Sequence, residues 1–114
     1  MLSINKKDNQ LVFAGKTPSE LDHIAGGTPC YVYDRNQIKT NIIALKNELP
    51  KKIKLHYAIK ANPMPNLVAY AANYLDGLDV ASHQELLTAL STGIEPCKVS
   101  IAGPGKTQKS LLAA

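Results

Sequence analysis

The stretch LHYAIKANPMP, residues 55–65, decides how this chain is read. It is an apolar run that reaches a lysine, Lys60, and is broken at once by Ala-Asn-Pro. Lysine is almost never fully buried unless it is paired, so a strand that ends on one raises the question of what it serves. Residues 53–60 fit a strand with two faces: Ile53, Leu55, Tyr57 and Ile59 on one, Lys54, His56, Ala58 and Lys60 on the other.

The same unit repeats on either side. Residues 30–33 predict a short strand, and Asp34 or Asn36 can cap the helix that follows. In that helix Ile38, Ile42, Leu45 and Leu49 recur at helical spacing up to Pro50. Pro65 suits a first helical position, with Val68, Ala71, Ala72 and Leu75 as the apolar face. Residues 78–81 form a further short run, and Ser82-His83-Gln84-Glu85 has the S-x-x-E form of a capping box. Leu86, Leu87 and Leu90 continue that helix, Gly93 is placed to end it, residues 99–102 predict another strand, and Gln108 opens another helix. Units of this length predict an α/β fold of parallel strands with right-handed crossovers, either a doubly wound sheet or a (β/α)8 barrel. Residues 1–29 depart from the pattern, with a strand at 11–13 and a short helix at 19–25, and read as an irregular leading segment.

The strands agree in how they face. Leu78 and Val80 oppose Asp79 and Ala81, and Val99 and Ile101 oppose Ser100 and Ala102. Barrel interiors are normally filled by bulky branched side chains, so small or polar residues on the second face leave room for a bound group. The carboxyl ends of strands, where α/β enzymes keep their sites, here carry Lys60, Asp79 and Gly103-Pro104-Gly105-Lys106. His56 shares the face of Lys60 and is a further candidate; His83, in the first turn of a helix, is expected to be exposed.

Composition excludes several classes. With 45% hydrophobic and 19% charged residues in 114, the chain is globular rather than disordered. The net charge of +4 comes from scattered lysines without a basic stripe interleaved with aromatics, which argues against nucleic acid as a partner. Cys30 and Cys97 lie far apart with no His or Cys at ligand spacing, so no metal site is expected and two reduced thiols suit a cytoplasmic protein. No secretory signal opens the chain, and no run approaches the ~18 consecutive apolar residues that cross a membrane. GPGKT at 103–107 lacks the first glycine of a P-loop, since Ser100 stands in its place. A glycine-rich turn can still bring backbone N–H groups to an anion.

Tyr57-Ala58-Ile59-Lys60-Ala61-Asn62 resembles the fold-type III pyridoxal-phosphate-dependent decarboxylases of diaminopimelate, ornithine and arginine. Thr28-Pro29-Cys30-Tyr31-Val32-Tyr33-Asp34, Gly77-Leu78-Asp79-Val80-Ala81-Ser82 with Glu85, and Gly103-Pro104-Gly105-Lys106-Thr107 extend the likeness over nearly the whole chain. The forms IKANPMP, GLDVAS and AGPGKT are most similar to the members associated with exosortase systems. The resemblance implies the N-terminal part, about three βα units, of an alanine-racemase-like (β/α)8 barrel over residues 30–114. Residues 1–29 would be a leader that packs on a C-terminal β domain. It implies pyridoxal 5′-phosphate as cofactor, Lys60 as the residue that forms the internal Schiff base, and Asp79 as a cofactor-binding partner, with Glu85 and His56 as further candidates. An amino-acid substrate and a homodimer of the full-length protein follow from the same likeness. A racemase on the same barrel is a second reading, but the Tyr-Gly-His-Gly continuation of racemases after the lysine is absent. A non-catalytic relative that binds partners is a third. Because a full barrel takes about 250 residues, the 114-residue piece is expected to be a fragment that does not decarboxylate on its own.

Overall fold

The computed structural model describes residues 4–112 and divides into two compact units, Met1–Asn41 and Ile42–Ala114. The first unit opens with an antiparallel hairpin, β1 (Ile4–Lys7) and β2 (Gln10–Phe13), which pair with Lys7 opposite Gln10. Its two-residue turn, Asp8-Asn9, has positive φ at both positions (49° and 62°), the backbone that matches the twist of a hairpin. Sequence reading found the second strand and missed the first. Helix α1 (Pro18–Ala25) follows, opened by a reciprocal capping box in which Glu20 N–H donates to Thr17 Oγ1 and Glu20 Oε2 accepts from Thr17 N–H at 2.7 Å.

Residues 30–33 form no strand pairing, contrary to expectation. Tyr31, Val32 and Tyr33 are exposed (93%, 38% and 47%). β-propensity is realised only when a neighbouring strand supplies ladder partners and a surface to pack on. Asp34 caps helix α2 (Arg35–Glu48), its Oδ1 accepting from Asn36 N–H at 2.9 Å. The helix spans the expected residues, but its apolar stripe is not buried: Leu45 is 48% exposed.

The second unit holds three parallel strands in the order β3 (His56–Ala58), β4 (Gly77–Val80) and β5 (Val99–Ile101). Helices α3 (Pro65–Ala72) and α4 (His83–Ser91) make the two crossovers. Pro65 sits in the first turn of α3, where a missing N–H loses no helix bond. Gly93, at φ +79°, takes the left-handed position that follows the end of α4. A short helix, α5 (Gln108–Leu112), comes last.

The two-faced strand pattern positions the core. Leu78 and Val80 of β4 are fully buried against Ile59, Val68 of α3, and Leu86 and Ala89 of α4. Tyr57, Val99 and Ile101 pack at its margin. Ile53, expected on this face, is 48% exposed because the strand begins only at His56.

A polar clamp ties the C-terminal turn of α2 to the amino ends of the strands. Lys46 Nζ lies 2.9 Å from Asp76 Oδ1, and Asp76 Oδ2 accepts from Leu55 N–H at 2.9 Å. The Leu55 N–H bond, reinforced by the Lys46 ammonium, holds the Asp76 carboxyl below its ordinary value of 3.8.

Candidate active site

Lys60 does not end the strand, as its sequence pattern predicts; it stands on a one-turn 3-10 helix, Ile59–Ala61, directly after β3. The ladder to β4 stops where Ala58 faces Asp79, and Asn62 N–H turns back to Ile59 C=O at 3.0 Å. Three contacts hold this turn. Ile59 is fully buried in the core, Tyr57 donates its hydroxyl to the Asn62 carbonyl at 3.2 Å, and Asn62 Oδ1 accepts from Met64 N–H at 3.1 Å. Lys60 itself is exposed, and its ammonium meets no hydrogen-bond or ion-pair partner among the described residues. A turn tied at three points therefore presents an exposed amine without a partner among the described residues, and a lysine amine can act as a nucleophile once deprotonated.

Asp79 is half-buried at the centre of the sheet's second face, with Ala58 beside it on β3 and Ser100 beside it on β5. Ser100 Oγ donates to Asp79 Oδ1 at 2.8 Å and lies 3.3 Å from His56 Nδ1. The His56 ring lies across Gly77, its register partner. A Cβ at position 77 would fall 2.5 Å from His56 Cε1 and would also collide with the Lys98 carbonyl oxygen. The glycine is what lets the imidazole reach across to β5.

Glu85 is used locally. Ser82 Oγ caps α4 by accepting from Glu85 N–H at 3.2 Å, but the Glu85 carboxylate reaches past Ser82 and accepts from Ala81 N–H at 2.7 Å. The box expected from S-x-x-E is thus displaced by one residue, and Glu85 braces the end of the strand that carries Asp79. His83, expected to be exposed, is half-buried, and its Nδ1 is buried without a hydrogen-bond partner among the described residues. Residues 103–107 follow β5 as an irregular exposed loop, with Gly103 at φ +95° over Ala81.

The structure thus brings Asp79 and His56 together through Ser100 and leaves Glu85 on the backbone. Sequence reading placed Ser100 and His56 on the right face but did not single out Ser100, Gly77 or Tyr57. The alternation that put Ser100 beside Asp79 was the available signal.

A parallel α/β sheet with a lysine turn after one strand, an acid on the next, and small side chains between them places polar groups at the carboxyl ends of strands, where α/β proteins hold ligands. Residues 35–114 match the family described as pyridoxal-dependent decarboxylase, pyridoxal binding domain, and the chain belongs to that family. It is 38% identical over 108 residues to the diaminopimelate decarboxylase of Aquifex aeolicus, covering 95% of this chain and 25% of that protein. Among solved structures, AQ1208 from Aquifex aeolicus superposes with a TM-score of 0.83 at 37% identity, covering 94% of this chain and 26% of that one. The diaminopimelate decarboxylase from M. jannaschi superposes at 0.81 with 28% identity, covering 97% and 27%. The chain therefore spans about a quarter of the length of these relatives, and its fold is the N-terminal part of their (β/α)8 barrel. Pyridoxal phosphate is the cofactor of the family. The residues present fit it: Lys60 offers an unpaired amine, Asp79 an anionic oxygen, and Ala58 and Ala81 add no bulk.

Proposed function

We propose that this chain is the N-terminal portion of a pyridoxal-phosphate-dependent amino-acid decarboxylase and that Lys60 is the residue that bonds covalently to the cofactor. The observation that carries this reading is the Lys60 turn: its backbone is fixed by Ile59, Tyr57 and Asn62, while its amine meets no partner among the described residues. When bound, the cofactor supplies an aldehyde for an amine and a conjugated ring that takes up the electrons left by departing CO2.

The chain's own residues have distinct parts in this proposal. Lys60 would hold the cofactor through its side-chain amine and, as a free amine, could carry a proton. Asp79 is the electrostatic partner of the lysine–cofactor centre, its carboxylate favouring a positive charge nearby. Glu85 acts through the backbone by bracing Ala81, and His56 by way of Ser100. Residues 1–29 are proposed as the leader segment and 30–114 as part of the cofactor-binding domain. A homodimer, an amino-acid substrate and a cytoplasmic location belong to the same proposal; no helix among the described residues is long and apolar enough to cross a membrane.

Incubation of the full-length protein with pyridoxal phosphate, reduction with borohydride and peptide mapping test the assignment. Lys60 should carry the pyridoxyl label well above the other lysines. Equal labelling of all lysines, or a labelled site elsewhere, overturns it.

A further inference from the structure

The hydroxyl of Ser100 has one proton and three polar neighbours. Asp79 Oδ1 is at 2.8 Å, His56 Nδ1 at 3.3 Å and the Leu78 carbonyl oxygen at 3.4 Å. Two of these are oxygens that can only accept, given an ionised Asp79. A hydroxyl oxygen 2.8 Å from a carboxylate oxygen must place its proton between them, because two oxygens with facing lone pairs repel at that distance. The Ser100 proton therefore belongs to Asp79. What remains toward His56 is a Ser100 lone pair, so a hydrogen bond across the 3.3 Å contact requires the proton on His56 Nδ1. With that tautomer the hydrogen bonds run in one direction, from His56 Nδ1–H to Ser100 Oγ, and from Ser100 Oγ–H to Asp79 Oδ1.

Geometry sustains this chain from below. Asp79 and Ser100 are register partners on adjacent parallel strands, and His56 comes from the third strand by lying over Gly77. All three strands of the sheet thus contribute one member each. The other oxygen of Asp79, Oδ2, accepts no hydrogen bond from any described residue.

We propose that His56 and Ser100 are positioning residues for Asp79. The relay engages Oδ1, fixes the carboxylate's rotamer, and keeps Oδ2 available to the group held at Lys60. The inference rests on the cofactor reading for its purpose but not for its geometry, and the experiment separates the two.

The tautomer of His56 is read by nitrogen-15 chemical shifts and long-range proton–nitrogen correlations on the 114-residue chain at neutral pH. The relay requires His56 protonated at Nδ1, and Ser100→Ala should shift it toward the Nε2–H form while Ser100→Thr restores Nδ1–H. An Nε2–H tautomer in the unsubstituted protein overturns the relay outright; since that measurement needs no substitution, a folding defect in a variant cannot hide the answer. The positioning role is read by borohydride-trapped labelling of Lys60 with pyridoxal phosphate. Ser100→Ala should slow it about three- to tenfold, Ser100→Thr should recover it, and Ser100→Ala should add nothing in an Asp79→Asn background, since residues that act through one another are not additive. Full additivity of the two substitutions refutes a role through Asp79. If the unsubstituted Lys60 takes no label while His56 shows the Nδ1–H form, the cofactor reading fails and the relay stands as structure alone.

Discussion

Tyr57 donates its phenolic hydroxyl to the carbonyl of Asn62 at 3.2 Å, closing from the strand side the turn on which Lys60 stands. The ring packs on the margin of the core while its polar tip reaches the backbone five residues on. Tyr57→Phe keeps the ring and deletes the tie. It should destabilise the protein by about 0.5–1.5 kcal/mol, the net worth of one hydrogen bond. Amide exchange at Asn62 should quicken more than at Leu78. Unchanged exchange at Asn62 would show that the turn is held without the hydroxyl.

Asp76 makes stability depend on acid. Its folded carboxyl lies below the ordinary value of 3.8, chiefly through the Leu55 N–H bond and then through Lys46. The unfolded chain therefore binds the proton first as pH falls, so stability is fully present above about pH 4 and is lost as pH drops through the folded value. Denaturant melts between pH 5 and 2 should show that loss, and Asp76→Asn should flatten it. At neutral pH, Asp76→Ala should cost about 1–3 kcal/mol by leaving the Leu55 N–H without its charged acceptor.

Gly77→Ala tests the open floor beneath His56. The new methyl meets both the imidazole and the Lys98 backbone carbonyl, and only the imidazole can move aside. A loss of about 1–3 kcal/mol is expected for such overpacking, together with displacement of the His56 ring from Ser100. Thermal unfolding and the His56 ring resonances report the two effects separately.

Glu85→Ala removes the acceptor of the Ala81 N–H and should cost about 1.5–3 kcal/mol, as for a hydrogen bond to a charged group. Glu85→Gln keeps an amide oxygen in reach and should recover part of that. Equal effects of both variants on urea midpoints would mean the carboxylate's charge, not its reach, is what matters.

How far the sequence could be read depends on what each residue's partners are. Leu78, Val80, Leu86 and Ala89 announce themselves by period, because a strand or helix that buries one face must repeat at its own pitch. The β3, β4 and β5 assignments and the helices between them follow from that. The strand at 30–33 was not realised, since an extended Tyr-Val-Tyr becomes a strand only beside another. Lys60 stood out as a lysine at the end of an apolar run, yet its placement on a 3-10 turn escaped alternation, which carries no signal for where a ladder stops. Ser100 and Gly77 escaped for a different reason: each matters through a contact between strands some twenty or more residues apart, and a single sequence does not display such pairs.

The sheet's two faces also separate what selection can change. Leu78 and Val80 are sealed on one side, so any alteration there is felt at once as lost folding free energy. On the other side Ala58, Ser100 and Ala102 supply no member of that core, and Asp79 is held there by a hydrogen bond instead. On that side a substitution is felt first in the contacts among His56, Ser100 and Asp79 rather than in the core. One surface of the sheet therefore specifies the architecture, while the opposite one sets which polar groups the strands present.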